Sequence, residues 1–220
     1  MKTYKIHFIS NGITQGNLEE RYLGRTDEEL CEKGIEQLKR IAGEMEYPYC
    51  EIVISSPLKR CVQTAKLLYP DKEPVIIPDL TEYNFGEFDG LTASDLKDNE
   101  LFARWLSGDR DAVPPFGESN EEFTKRIAQC FDGIVTGLIK TGMTDSVIVT
   151  HGGVIMAILS LFAFPEKDMS YWRTMPGTGF SVSVTPQLWS QIKKCEVMGQ
   201  IPVPHDLDDD DHLGVYSIEL

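Results

Sequence analysis

The hydrophobic positions along the chain fall into short Val- and Ile-rich runs separated by longer stretches of helical spacing. Runs at 5–10, 52–55, 75–78, 147–150, 180–185 and 215–220 predict strands. Between them, residues 27–45 place Leu30, Leu38, Ile41 and Met45 on one helical face. A further helix starts at Ser119, where Glu122 three residues on completes a capping box, and it buries Phe123, Ile127, Phe131, Ile134 and Leu138. Helices are also expected over 93–106 and over the apolar run 154–162. Strands alternating with helices, without internal repeat or low-complexity linker, predict an α/β fold with a mostly parallel sheet.

Three of the predicted strands end in polar side chains beside turn residues. The first ends at Asn11-Gly12, the second at Ser56-Pro57, and the fourth at His151-Gly152-Gly153. Ligands of open α/β sheets bind outside the carboxyl ends of the strands, so these ends are where a site is expected. In "SSPLKRCVQTA", Ser56 suits an N-cap and Pro57 the first helical position, with Arg60 one turn in. A helix N-terminus with a nearby guanidinium favours an anion. An ordinary capped helix with a surface Arg accounts for the same letters. In "VTHGGVI", His151 is placed to bond a phosphoryl oxygen or move a proton, or simply to be satisfied by the backbone at a turn. In "LTEYNFGEFDGLT", Glu82 precedes an aromatic, glycine-rich loop and suits a general acid, ahead of Glu87 and Asp89; a solvated loop carboxylate is the alternative. Phe85, Phe88 and Trp105 line a pocket or fill the core; Trp172 and Trp189 read as packing.

Composition narrows the class. With 220 residues the chain is long enough for one domain with a substantial core, taken as 1–220. A net charge of −14 disfavours nucleic acid and anionic membranes, and requires any anionic substrate to meet a local positive pocket. No apolar run is long enough to span a bilayer and no secretion signal opens the chain. The five Cys lack close pairs, and Cys31, Cys61 and Cys130 fall on helical patterns, so reduced buried thiols and a cytoplasmic location are expected. The run "HDLDDDDH" at 205–212 has metal-ligand residue types without coordination spacing and reads as a solvated acidic loop. No metal and no cofactor are expected.

Together, "SSPLKRCVQTA", "LTEYNFGEFDG" and "VTHGGVI", in this order and spacing, resemble the histidine phosphatase superfamily, the phosphoglycerate-mutase-like proteins. "GRTDEELCEKG" at 24–34 and "FGESNEEFTKR" at 116–126 fit it too. The resemblance implies a single-domain three-layer α/β/α sandwich. In that family the first strand ends in Arg-His-Gly. The His attacks phosphorus, the Arg, a second Arg and a second His hold the phosphoryl oxygens, and a carboxylic acid protonates the leaving oxygen. Carried over by motif, Arg60 matches the second Arg, His151 the second His and Glu82 the acid, while Thr14 and Asn17 match the pocket edge.

The first motif departs from the family where the chemistry sits. Ser10 stands in place of the Arg and Asn11 in place of the nucleophilic His. An amide nitrogen has its lone pair delocalised into the carbonyl and cannot attack phosphorus. The expected protein therefore binds phosphate monoesters or inorganic phosphate through Arg60, His151, Ser10, Asn11, Gly12 and Asn17, with turnover lost or severely impaired. An enzyme using a rearranged nucleophile or a directly attacking water, and a purely regulatory binding module, are the other readings. The short segment between Glu82 and His151 favours the small-molecule phosphatase branch over a glycolytic mutase.

Overall fold

A computed structural model of the chain describes residues 2–205. The acidic run after His205 and the expected strand at 215–220 lie outside the described residues. Nine strands, β1 (Tyr4–Ser10), β2 (Met45–Glu46), β3 (Ile52–Ser55), β4 (Val75–Ile76), β5 (Asp145–Thr150), β6 (Ala163–Phe164), β7 (Gly179–Val184), β8 (Cys195–Ile201) and β9 (Val203–Pro204), are described. Seven helices accompany them: α1 (Gln15–Leu18), α2 (Glu32–Glu44), α3 (Lys59–Leu68), α4 (Glu100–Leu106), α5 (Asn120–Thr141), α6 (Gly152–Phe162) and α7 (Pro186–Ile192). Seven strands form one sheet in the order β4-β3-β5-β1-β7-β8-β6, while β2 and β9 pair separately. Within the large sheet only the β1–β7 and β7–β8 pairs are antiparallel; the rest are parallel, as the alternation of elements predicts.

Both faces of the sheet are covered. Ile6, Phe8, Ile54, Ile148 and Val182 point to one side and pack on Phe131, Ile134 and Val135 of α5 and Val154, Ile155 and Ile158 of α6. Their strand neighbours Ile9, Val53, Val147 and Val149 point to the other and meet Cys61 and Ala65 of α3. This two-sided burial is why the centre of β5 reads as an unbroken apolar run instead of an alternation. Trp172 and Trp189 are core residues, 1% and 3% exposed. Phe88, Phe102, Trp105, Tyr22 and Phe85 form a separate aromatic cluster under the loop that follows Glu82.

Several element boundaries differ from the sequence reading. The helix expected at 27–45 begins only at Glu32, with Leu30 in a bridge to Thr14. The helix expected over 93–106 is confined to Glu100–Leu106, because Asn99 caps it by accepting from the Phe102 N–H. Residues 92–95 instead form a turn in which Asp95 accepts from the Thr92 N–H and hydroxyl. The capping box at Ser119 and Glu122 forms as expected.

Candidate active site

The registers of the three central parallel strands decide which residues meet. Ser10 of β1 lies opposite Thr150 of β5, and Ser55 of β3 lies opposite Val149. The next residues, Asn11, His151 and Ser56, are thereby brought side by side at the carboxyl edge, with His151 in the middle. Its ring contacts both neighbours: Nε2 lies 2.9 Å from Ser56 Oγ and Nδ1 lies 3.1 Å from Asn11 Oδ1. Arg60 Nε donates to the same Nδ1 at 3.3 Å. His151, Arg60 and Ser56 are each at least 98% buried. Burial first, then the charges of Arg60, Arg25 and Arg126, hold the His151 pKa well below its ordinary value, so the ring is neutral at physiological pH.

A neutral ring carries one proton. That proton serves either Ser56 Oγ from Nε2 or Asn11 Oδ1 from Nδ1, and only in the first case can Nδ1 accept from Arg60. The Asn11 amide Nδ2 donates to Gly12 O at 2.9 Å. Cys61 Sγ approaches His151 to 3.5 Å, but burial pushes its thiol up to about 12, which leaves it unreactive.

The environment of Arg60 corrects the reading of "SSPLKRCVQTA". The helix starts at Lys59 with Leu58 as its N-cap residue, not at Ser56 and Pro57. Two tertiary contacts account for this. The Ser56 hydroxyl is taken by His151, and the Asp27 carboxylate accepts from the Lys59 N–H at 2.7 Å, so a side-chain anion already occupies the helix N-terminus. Arg60 therefore acts through its side chain. It donates to the carbonyls of Thr26 at 2.7 Å and Gly24 at 2.9 Å, and no ion pair joins it to a carboxylate among the described residues.

Gly12 likewise plays a different part from the one expected. Its N–H donates to Thr64 Oγ1 at 2.9 Å and the Asn11 N–H to Thr150 O, so neither amide is free for a ligand. The glycine is required by packing, since a Cβ there would sit 2.6 Å from Leu38 Cδ1. Thr14 is buried and caps α1, and the exposed Asn17 returns its Oδ1 to the Thr14 N–H. Neither residue bonds to His151 or Arg60 among the described residues. Ser10 is buried beside Gly152, near the Thr174 hydroxyl, which has no hydrogen-bond partner.

Glu82 closes the site from the chain that follows β4. Its Oε2 accepts from the Gly153 N–H at 3.0 Å, at the start of α6, and its Oε1 from its own neighbour Tyr83 at 2.9 Å. Burial raises its pKa and outweighs these two bonds and the attraction of Arg60 and Arg126. This explains the second glycine of His-Gly-Gly: a Cβ at 153 would lie 2.5 Å from Glu82 Oε1. Gly153→Ala is expected to push the carboxyl out of its bond, costing about 1–3 kcal/mol in chemical denaturation. A variant as stable as the parent would show that Glu82 is not held here.

Asp89 is a clamp, not an acid. Its carboxylate accepts from three consecutive N–H groups, of Gly24, Arg25 and Thr26, at 2.8–3.0 Å. The loop is thus pinned by Asp89 through its amides and by Arg60 through its carbonyls. Asp89→Ala should destabilise the fold by about 2 kcal/mol, measured by denaturant titration. Beyond the loop, Glu118 accepts from Arg126 Nη2 at 2.6 Å and pairs with Arg25 at 3.9 Å, while Arg126 reaches the Glu82 carbonyl. The sequence reading passed over Ser56 as a His151 partner, and Arg25 and Glu118 altogether. The "GES" and "GRTD" segments were visible, but only tertiary contact makes them part of the site.

Among the described residues, no group of side chains could hold a metal ion and no helix is long and apolar enough to cross a membrane.

Comparison with known proteins bears on the same residues. The adenosylcobalamin/alpha-ribazole phosphatase of Salmonella typhimurium is 26% identical over 204 residues, 90% of this chain and 95% of that protein. The crystal structure of the alpha-ribazole phosphatase from Shigella flexneri superposes with a TM-score of 0.73 at 24% identity, covering 97% of this chain and all of that one. The phosphoglycerate mutase from Bacillus anthracis shares the fold, with a TM-score of 0.73 at 20% identity over 89% of this chain and 92% of its own. Residues 6–189, which carry Asn11, Arg60, Glu82 and His151, match the histidine phosphatase superfamily (branch 1), and the chain belongs to that family.

Proposed function

We propose that this chain binds phosphate monoesters or inorganic phosphate, and that the phosphohistidine chemistry of its family is lost or severely impaired in it. The observation that carries the binding half is Arg60. A guanidinium buried without a carboxylate, beside a neutral His151, is costly unless an anion completes it. Phosphate matches the fork geometry of Arg. Asn11 carries the other half, because it occupies the nucleophile's place with an amide that cannot attack phosphorus.

The remaining groups have defined roles in this reading. Arg60 holds phosphoryl oxygens, Ser56 orients the His151 ring through Nε2, and His151 faces the phosphoryl group as a neutral partner. Glu82, whose pKa burial raises, suits the acid that meets the leaving oxygen. The sequence relative named above is a phosphatase, whereas the mutase at 20% identity shares the fold alone, and this supports the phosphatase reading. Five free thiols, three of them buried, suit a reducing cytoplasm. Ser10 is a poor substitute nucleophile, since His151 makes its contacts to Ser56, Arg60, Cys61 and Asn11 and not to Ser10. The deciding experiment compares aryl-phosphate turnover by the native chain and by its Ser10→Arg/Asn11→His double variant. Turnover by the native chain well above background would sink the proposal.

A further inference from the structure

Three guanidinium groups lie close together at the cleft. Arg25, Arg60 and Arg126 gather around Glu82 and Glu118. Glu118 is shared: Arg126 takes it at 2.6 Å, leaving Arg25 at the outer limit of pairing, 3.9 Å. Arg25 is also the most open of these groups, its side chain 41% exposed where Arg126 is 16%. Its backbone, in contrast, is rigidly placed. The carbonyls of Gly24 and Thr26, on either side of it, both accept from Arg60, and Asp89 holds all three amides. Gly24 is itself wedged against the segment after Glu82, since a Cβ there would lie 2.1 Å from Tyr83 O. A partly exposed cationic side chain with a weak partner, Glu118, thus stands on a loop that Arg60 and Asp89 fix in place.

We propose that Arg25 is a phosphate-binding residue of this site, supplying from the 24–26 loop the cationic contact that Ser10 does not. The proposal rests on the phosphate-pocket reading above and deepens it. Electrostatics points the same way: the charge of Arg25 is felt at both His151 and Glu82, and Arg25 and Arg126 repel one another across a single carboxylate. An incoming dianion relieves that repulsion. It gives Arg25 a stronger partner than Glu118, in bidentate geometry.

The test is calorimetric titration of inorganic phosphate into the native chain, Arg25→Gln, Arg25→Lys and Arg104→Gln. Arg104 is a surface residue of α4 paired with Asp109, so its variant carries the same change in net charge away from the cleft. Arg25→Gln is expected to weaken phosphate binding by about tenfold or more, and Arg25→Lys to recover part of the loss. Arg104→Gln should bind like the parent. Equal affinity of Arg25→Gln and Arg104→Gln overturns the proposal and leaves the phosphate pocket standing. If the native chain does not bind phosphate but the Ser10→Arg/Asn11→His variant does, Arg25 does not compensate for Ser10 and the proposal again fails. If neither binds, the phosphate-pocket reading fails with it.

Discussion

Replacing Ser10 with Arg and Asn11 with His together should raise aryl-phosphate turnover by on the order of 10³-fold or more. The figure combines two losses. A missing preorganised electrostatic contact typically costs about 3–4 kcal/mol of transition-state stabilisation. A missing nucleophile leaves only positioning and binding, on the order of 10³–10⁴ over water in the serine proteases. Phosphate-monoester hydrolysis is among the slowest uncatalysed reactions, so that residue of activity is undetectable in an ordinary assay.

The local geometry at position 11 suits the substitution to His. Asn11 Nδ2 already donates to Gly12 O, and the Nδ1 of a His at this position branches from the same Cγ, so it can keep that bond. The ring then extends further into the site and exposes Nε2, a nucleophilic nitrogen where the amide offers none. It also removes the amide oxygen that faces His151 Nδ1. Asn11→His alone should be intermediate and Ser10→Arg alone silent, because charge without a nucleophile does not make the intermediate. Acid-stable trapping would miss a phosphohistidine, so ³¹P NMR at alkaline pH is the direct check. A double variant without turnover would mean that Arg60, Glu82 and His151 have drifted from a productive arrangement.

Acidification should unfold the protein steeply between about pH 6.5 and 4. Two histidines are held neutral in the native state. Burial lowers His7 from 6.5 to about 4, against the pull of Asp145, and His151 lies well below its ordinary value. Each binds a proton in the unfolded chain before it does in the folded one. Stability is therefore intact above the unfolded pKa and lost as pH falls towards the folded values. Lowering from 6.5 to about 4, at about 1.4 kcal/mol for each pH unit, makes the His7 share about 3 kcal/mol. The two residues together give a slope of up to about 2.7 kcal/mol per pH unit. Glu82 acts in the opposite sense. Its raised pKa means that its ionisation costs stability as pH rises, so acidification relieves that cost. His7→Asn preserves the Nδ1-type contact to Ser181, now at 2.7 Å, and removes one titrating group. Denaturant titrations across this pH range should show a shallower profile for that variant. Superimposable profiles would refute the role of His7.

Much of the site was legible in the letters because parallel α/β sheets put ligand-binding residues at strand ends, and strand ends are marked by Gly and Pro. His151, Asn11 and Arg60 were found this way, and Glu82 through the resemblance of its loop. Their common location follows from β3, β5 and β1 being adjacent and parallel. The capping box at Ser119 was equally plain, since both partners lie within four residues. The misplacements share one cause. Ser56 and Pro57 carry a helix-start signature, yet His151, 95 residues away in the chain, takes the Ser56 hydroxyl, and Asp27 caps the helix two residues later. Gly12 reads as a residue that offers its N–H to an anion, yet that N–H goes to Thr64, and the missing Cβ leaves room for Leu38.

By itself, then, the sequence determined the fold class, the strand ends that converge and the amide, Asn11, that stands at the end of β1. Hydrophobic period, turn chemistry and side-chain identity are properties of neighbouring residues. The tertiary structure alone decided the partners of the His151 ring, the pairing of Arg60 with backbone carbonyls and the position of Arg25 at the cleft. Those depend on contacts between residues 34 to 140 positions apart, which sheet register and loop packing set and no local pattern encodes.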